Sequence, residues 1–152
     1  MRRLATMAAL LAVPLLAFPT CALGLDDTGP TEQSITELQQ KLETAEPGEQ
    51  CFLYAELIHD MTEMSVQQYS QGHDGKANAL LRQVQALTHK LHLTMAENDK
   101  RLKKTEILLR RTVFRLNEMM HDSGYQDRKV LAATLATVSQ ADQDAMLQVF
   151  KK

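Results

Sequence analysis

The sequence predicts an all-α protein, folded as an antiparallel bundle of four to five helices. Every proline lies at or before Pro47, and after Gly48 glycine recurs only at positions 72, 75 and 124, which divides the chain into a few long uninterrupted segments. No segment alternates strictly between apolar and polar residues, as a half-buried strand would. Apolar residues instead recur every three or four positions, which is the spacing of one helix face.

Length and composition indicate one folded domain. The chain has 152 residues, of which 44% are hydrophobic and 24% charged, and these fractions are typical of a globular protein. That length suffices for a core but leaves no room for a catalytic domain beside a separate binding domain. We expect a single helical domain over residues 25–152.

The N-terminal segment has the pattern of a secretory signal peptide. Arg2 and Arg3 precede an apolar run over residues 4–18, and small residues follow at positions 20–24. The run is shorter than the roughly 20 residues of a spanning helix. We expect cleavage after Ala22 or after Gly24, so that residues 1–22 form the signal and the mature protein is periplasmic or secreted.

Two helices are predicted before the first internal turn. The first should cover Thr31–Ala45, with Ser34 and Glu37 spaced as a capping box. Pro47 and Gly48 then end it. The second should cover about residues 49–70, with an apolar face that recurs at three and four residues. The Gly-rich turn at residues 72–75 closes this helix.

The following segment, residues 76–122, contains neither glycine nor proline. Its apolar stripe keeps one phase: Val84, Leu102 and Met120 are each eighteen residues apart, which is five helical turns. We therefore favour one continuous central helix, about 70 Å long at 1.5 Å per residue. The alternative is a break at Asn98 and Asp99, both good N-caps, which would produce a compact bundle. A last helix should begin near residue 127.

The charges are unevenly distributed. Without Arg2 and Arg3, 15 basic side chains face 19 acidic ones, and residues 25–63 hold ten acidic residues and a single basic one. Basic residues crowd the next part of the chain, at Lys100, Arg101, Lys103, Lys104, Arg110, Arg111 and Arg115. This cluster predicts a cationic surface for an acidic partner. The alternative is a solvated face, partly neutralised by the acidic N-terminal helices of the same or another chain.

No motif for catalysis or cofactor binding occurs. The chain lacks the glycine-rich phosphate loops, the nucleophile elbow, the zinc-protease pattern and the calcium loop. A Glu-x-x-His pattern occurs twice, at Glu56 with His59 and at Glu118 with His121, and di-iron bundles use two such pairs. Both glutamates fall on polar helix faces and lie far apart along the helices, which argues against this site. We expect no enzymatic activity and no cofactor.

A weaker metal-site hypothesis uses histidines of two neighbouring helices. An antiparallel hairpin would bring Glu56 and His59 level with His89 and His92, a donor set suited to zinc or copper. His89 lies opposite the apolar stripe of its helix, however, which is typical of an ordinary surface histidine. Cys51 is the one cysteine of the mature chain. We interpret it as a small core residue, with an intermolecular disulfide as the alternative.

Three segments resemble a family of exported, all-helical bacterial proteins of unknown function. They are residues 51–59 (CFLYAELIH), the basic run KRLKK that begins at Lys100, and the C-terminal QVFKK. The resemblance implies an exported helical protein and carries no activity.

The sequence as a whole predicts a non-enzymatic interaction protein, such as a scaffold, adaptor or chaperone. It would pair through its amphipathic helices and contact a protein or another acidic envelope component through the basic residues. A second copy of the chain is an alternative partner. Nucleic acid is not expected as a partner, because the mature chain is acidic and exported. A metal-binding or metal-sensing protein that uses the histidines is the alternative function.

Overall fold

The structure, a computed structural model, describes residues 29–95, 101–122, 124 and 128–151. It contains five helices, α1 (Glu32–Thr44), α2 (Pro47–Ser70), α3 (Asp74–Thr94), α4 (Leu102–Asp122) and α5 (Arg128–Phe150). The described residues are 89% helical and include no strand. The predicted all-α bundle is confirmed, whereas the predicted signal peptide lies outside the described residues.

Helices α2 to α5 form a four-helix bundle, and α1 packs on the outside of α2. Side-chain contacts between α2 and α4 join Glu49 to Arg101 at one end and Glu63 to Arg115 further along, so these two helices run parallel. α3 returns alongside α2, and α5 returns alongside α4. The helices therefore alternate in direction along the chain, with short connections between neighbours.

The preferred prediction of one continuous helix over residues 76–122 is wrong. α3 ends at Thr94, α4 begins at Leu102, and the two do not pack against each other within the described residues. Because α3 runs against α2 and α4 runs with it, the chain reverses direction between them. Each half carries its own apolar stripe, and folding back buries both stripes in one core, where a continuous rod would leave much of them in water. Asn98 and Asp99, the predicted break, lie outside the described residues.

Local interactions determine where α1 and α2 begin. α1 is capped by Thr31, whose hydroxyl accepts a hydrogen bond from the Ser34 amide at 3.1 Å, while the Ser34 hydroxyl accepts one from the Thr31 amide at 3.0 Å. The capping box is therefore one turn earlier than the predicted pair of Ser34 and Glu37. Pro47 occupies the first turn of α2 instead of only ending α1, a position where its missing amide hydrogen costs nothing.

The core lies between the inward faces of α2, α3, α4 and α5. Its fully buried side chains include Ile58, Leu81, Val84, Leu91, Leu109, Leu116, Leu131 and Val138. Burying a side chain of this size is worth about 1.5–3 kcal/mol. Cys51 is also fully buried, which matches its interpretation as a small core residue. Among the described helices, none has the length and apolar content needed to cross a membrane.

Candidate functional site

The predicted basic cluster maps to α4 and divides into two groups. Lys100 lies outside the described residues. Arg101, Arg110 and Arg115 bind carboxylates of the same chain, whereas Lys103, Lys104 and Arg111 are exposed and form no ion pair within the described part of the chain. The sequence cluster is therefore only partly a free cationic surface.

Arg101 and Arg115 attach α4 to α2. The Arg101 guanidinium lies 3.1 Å from a carboxylate oxygen of Glu49 and 5.3 Å from the centre of the Phe52 ring. Arg115 donates to Glu63 of α2 at 3.2 Å and to Glu118 of its own helix at 3.0 Å. The hydrogen bond to Glu118 is the main cause that raises the pKa of Arg115 above its ordinary value. These arginines act within the molecule, as the solvated-face interpretation expects.

Arg110 lies on the side of α4 that faces α5. It donates a hydrogen bond to Glu106, one turn earlier, whose side chain is largely buried. Asp142 of α5 lies close enough for Glu106 to raise its pKa, in addition to the larger effect of burial, while Arg110 lowers it. Arg110 therefore stands at the edge of α4 that faces α5.

Arg111 stands at the other edge. It lines a groove with Glu37 and Lys41 of α1 and with Glu56 and Asp60 of α2. These carboxylates lie on the same groove, but none forms an ion pair with Arg111 within the described residues. The exposed cations of α4 thus border two different neighbours, with the outward side of the helix between them.

Two large apolar side chains occupy that outward side, and sequence reasoning missed them. Ile107 is 41% exposed and Phe114 is 66% exposed, and together with Arg110 and Arg111 they line a shallow depression. Their spacing of seven residues was the one feature of the sequence that could have placed both on a single helix face. The core residues of α4 (Leu102, Leu109 and Leu116) have the same spacing, but Ile107 and Phe114 come five residues after a core position, which is about 140° around the helix.

The structure does not bring the four residues of the alternative metal site together, although Glu56 and His59 line one groove. His59 Nδ1 lies 3.1 Å from the Thr112 hydroxyl of α4, and His92 Nε2 lies 3.0 Å from an Asp144 carboxylate oxygen of α5. His89 is exposed, and Glu56 is half-buried with a pKa raised by burial. Within residues 29–95, 101–122, 124 and 128–151, no group of three or more His, Cys, Asp or Glu side chains is placed to hold a metal ion.

The doubled Glu-x-x-His pattern does not converge in the structure. Glu118 accepts a hydrogen bond from Arg115, and His121 is exposed. Since Arg115 lies level with Glu63, Glu118 stands about ten residues beyond Glu56 along the parallel helices, roughly 15 Å at 1.5 Å per residue. The two carboxylates therefore face different parts of the surface.

Comparison with known proteins yields no relative from which a function could be transferred: no family model, no curated protein and no solved structure matches this chain. The resemblance to exported helical proteins stays a prediction from the sequence. The candidate site is therefore defined by geometry alone. We call the exposed residues Lys103, Lys104, Ile107, Arg110, Arg111 and Phe114 the α4 outer face.

Proposed function

We propose that this protein is a non-enzymatic helical interaction protein whose α4 outer face binds an acidic partner. The observation that carries the proposal is the group formed by Lys103, Lys104 and Arg111, three exposed cations without an ion pair in the described part of the chain. An exposed cation that is not held in an internal ion pair keeps its charge available for a partner. Lys103 and Lys104 contribute most to this surface, since Arg111 borders the groove that also holds Glu37, Glu56 and Asp60. Export to the periplasm or the exterior, expected from residues 1–24, belongs to the same proposal.

The α4 helix suits a recognition element because its back is rigidly held. Leu102, Leu109 and Leu116 are almost fully buried in the core, and Arg101 and Arg115 bind α2. The outward side chains therefore project from a fixed backbone, and binding does not require the helix to be ordered first. Electrostatic attraction between exposed charges extends about 8–10 Å at physiological salt, so the binding should weaken as salt increases.

The proposal is tested with two polyanions of different chemistry, poly-aspartate and heparin, immobilised for equilibrium binding at low and physiological salt. We expect both to bind, and we expect the triple variant Lys103→Gln, Lys104→Gln, Arg111→Gln to lose at least about tenfold in affinity, since each cation near an anionic surface contributes about 1 kcal/mol.

The control variant removes the same charge elsewhere. Lys76→Gln, Lys90→Gln, Lys129→Gln changes three exposed lysines of α3 and α5 and leaves α4 intact. Equal loss in both triple variants would show that only the net charge matters, and the α4 outer face would then be discarded as the binding site. If the protein binds neither of the two polyanions, the proposal is wrong.

A further inference from the structure

We infer that the acidic partner of the α4 outer face is an anionic lipid surface, with Ile107 and Phe114 entering the headgroup region and the flanking cations contacting lipid phosphates. This inference rests on the proposed function, since it assumes that α4 is the binding element. It adds a chemical class of partner and assigns a role to the two exposed apolar side chains.

The first support is the order of residue types across the helix. Three pairs, each spaced by seven residues, run side by side along α4: Lys103 with Arg110, Ile107 with Phe114, and Lys104 with Arg111. At 100° per residue the apolar pair lies between the two cationic pairs, about 40° from one and 60° from the other. Arg110 is paired with Glu106, so within the described residues Lys103 supplies the unpaired charge on one side of the strip and Lys104 with Arg111 supplies it on the other. An apolar strip bordered on both sides by Lys and Arg is the pattern of helices that lie in a membrane interface.

The second support is the exposure of the apolar pair. Ile107 is 41% exposed and Phe114 is 66% exposed, although hydrophobic positions elsewhere on α4 are used for the core. Two turns separate them, about 10.5 Å along the axis. Both can therefore reach the same depth when α4 lies parallel to a surface, while the long stems of Lys and Arg keep their charges at the headgroups.

The third support is shape. The described residues that line the depression around Ile107 and Phe114 all belong to α4, and no other described helix supplies a wall. An amphipathic partner helix normally docks into a groove between two elements. The convex outer side of a single helix instead meets a flat surface along its length, which is the geometry that a lipid leaflet offers.

A second copy of the chain fits this face less well. The acidic helix α1 carries Glu32, Glu37 and Glu43, but none of the exposed large apolar side chains of the described residues lies on it. If α1 of another copy covered α4, the cations would be neutralised while Ile107 and Phe114 stayed without an apolar partner. A lipid interface satisfies both groups, since phosphates and hydrocarbon lie within a few ångströms of each other.

The test is a flotation assay with the purified protein and two kinds of vesicle. One kind is phosphatidylcholine alone, and the other is phosphatidylcholine with about one-quarter phosphatidylglycerol. We expect flotation with the anionic vesicles and little with the neutral ones. Ile107→Ser, Phe114→Ser should weaken the anionic binding at least about tenfold, because partial burial of both side chains contributes free energy in proportion to their apolar area. The matched control Leu147→Ser, Phe150→Ser removes exposed apolar groups of α5 and should bind as the unmodified protein does.

A spectroscopic variant provides a second measurement. The chain contains no tryptophan, so Phe114→Trp introduces a single fluorophore on the α4 outer face. Its emission should shift to the blue on adding anionic vesicles and should be quenched by brominated lipid chains. Phe150→Trp, which places the fluorophore on α5, should show neither effect. Binding through any other segment of the chain would leave the emission of the Phe114→Trp variant unchanged and would overturn the inference.

The outcomes separate this inference from the proposed function. Binding to polyanions without binding to anionic vesicles, or vesicle binding that is insensitive to Ile107→Ser, Phe114→Ser, would overturn the membrane inference and leave the acidic-partner proposal in place. The same holds if an acidic amphipathic peptide, but no vesicle, binds in a Phe114-dependent manner, which would identify the partner as a protein. If neither polyanion binds, the proposed function is wrong, and the membrane inference, which rests on it, is wrong as well.

Discussion

Threonine supplies much of the polar content of the core. Thr62, Thr88, Thr105, Thr112 and Thr134 are almost or entirely buried, one or two on each of α2 to α5. Four of the five donate their hydroxyl hydrogen to the carbonyl oxygen four residues earlier, at distances of 2.7–3.0 Å. Such a bond lets a threonine occupy an apolar position without leaving a buried polar group unsatisfied.

Thr105 is the exception, and it carries a prediction. Its buried hydroxyl oxygen has no hydrogen-bond partner within the described residues. We expect Thr105→Val, which keeps the shape and removes the hydroxyl, to raise the free energy of unfolding by about 1 kcal/mol. Urea denaturation followed by circular dichroism measures the change.

The control for this substitution is Thr134→Val. The Thr134 hydroxyl accepts a hydrogen bond from Gln85 Nε2 at 2.8 Å. Removing this hydroxyl leaves the side-chain amide of Gln85, on α3, without this acceptor. We expect a loss of about 1 kcal/mol. If both substitutions destabilise the protein equally, the Thr105 hydroxyl is satisfied in solution and the interpretation of this site is wrong.

At the scale of elements, the turn between α2 and α3 depends on one glycine. Gly72 has a φ of 74°, in the left-handed region that side chains with a Cβ rarely adopt. Gly75, three residues later, lies in the first turn of α3, where an added Cβ would meet no atom within 4 Å. Position 72 therefore requires glycine, whereas position 75 can accept a side chain.

These requirements lead to a paired prediction. Gly72→Ala should lower the free energy of unfolding by about 1 kcal/mol, because the left-handed conformation strains an L-residue. Gly75→Ala should raise it by about 0.5–1 kcal/mol, since alanine restricts the unfolded chain and favours the helix. Thermal unfolding of the two variants side by side measures both signs. A stabilising Gly72→Ala would mean that the turn has a different conformation in solution.

At the scale of the whole molecule, several carboxyl groups are partly withdrawn from water. Burial is the main cause that raises the pKa values of Glu56, Asp60 and Asp142 above their ordinary values. Asp142 also has a buried carboxylate oxygen without a hydrogen-bond partner in the described part of the chain. In each case the folded protein disfavours the ionised form relative to the unfolded chain.

The sign of the pH dependence follows from these shifts. As the pH rises above the ordinary values of 3.8 for Asp and 4.5 for Glu, the unfolded chain releases its protons first, and the folded state retains them. The contribution of these groups to stability is therefore fully present below the ordinary pKa values and is lost as the pH rises through the raised ones. These three groups should therefore contribute more to the free energy of unfolding near about pH 4 than near about pH 8, and urea denaturation at the two pH values measures the difference.

The variant Asp142→Asn tests whether buried carboxyl groups cause the pH dependence of stability. It removes the ionisable group beside Glu106, so it should flatten the pH profile and stabilise the protein at neutral pH by less than about 1 kcal/mol, allowing for solvent screening of a half-exposed group. Glu43→Gln changes the charge equally at an exposed carboxylate of α1 that forms no ion pair within the described residues, and it serves as the control. A profile that is unaltered by Asp142→Asn would assign the pH dependence to other residues.

Much of the fold was readable from local patterns, because a helix is specified by residues three and four apart. The end of α2 at Ser70 and the start of the last helix near residue 127 were predicted from periodicity and glycine placement. Capping was predicted one turn late, since Thr31 and Ser34 compete with Ser34 and Glu37 and the two pairs have equal spacing. Only hydrogen bonds in the folded chain distinguish them.

The reversal between α3 and α4 and the candidate site were harder to predict from the sequence. An unbroken phase between Val84 and Met120 fits a single rod, and it fits equally well two helices that present their stripes to one core. The basic cluster looked uniform, whereas Arg101 and Arg115 bind acidic residues about fifty positions earlier. Their pairing depends on the parallel register of α2 and α4, which no local pattern specifies.

The sequence by itself determined the helical class, the positions of most helices and the separation of acidic and basic segments. These properties depend on spacing within a few turns and on counting charges. Tertiary structure alone decided which cations remain exposed, which carboxylates neutralise the others, and that Ile107 and Phe114 face outward between two cationic pairs. The physical reason is that burial and ion pairing are properties of contacts between helices, and those contacts exist only once the chain has folded back on itself.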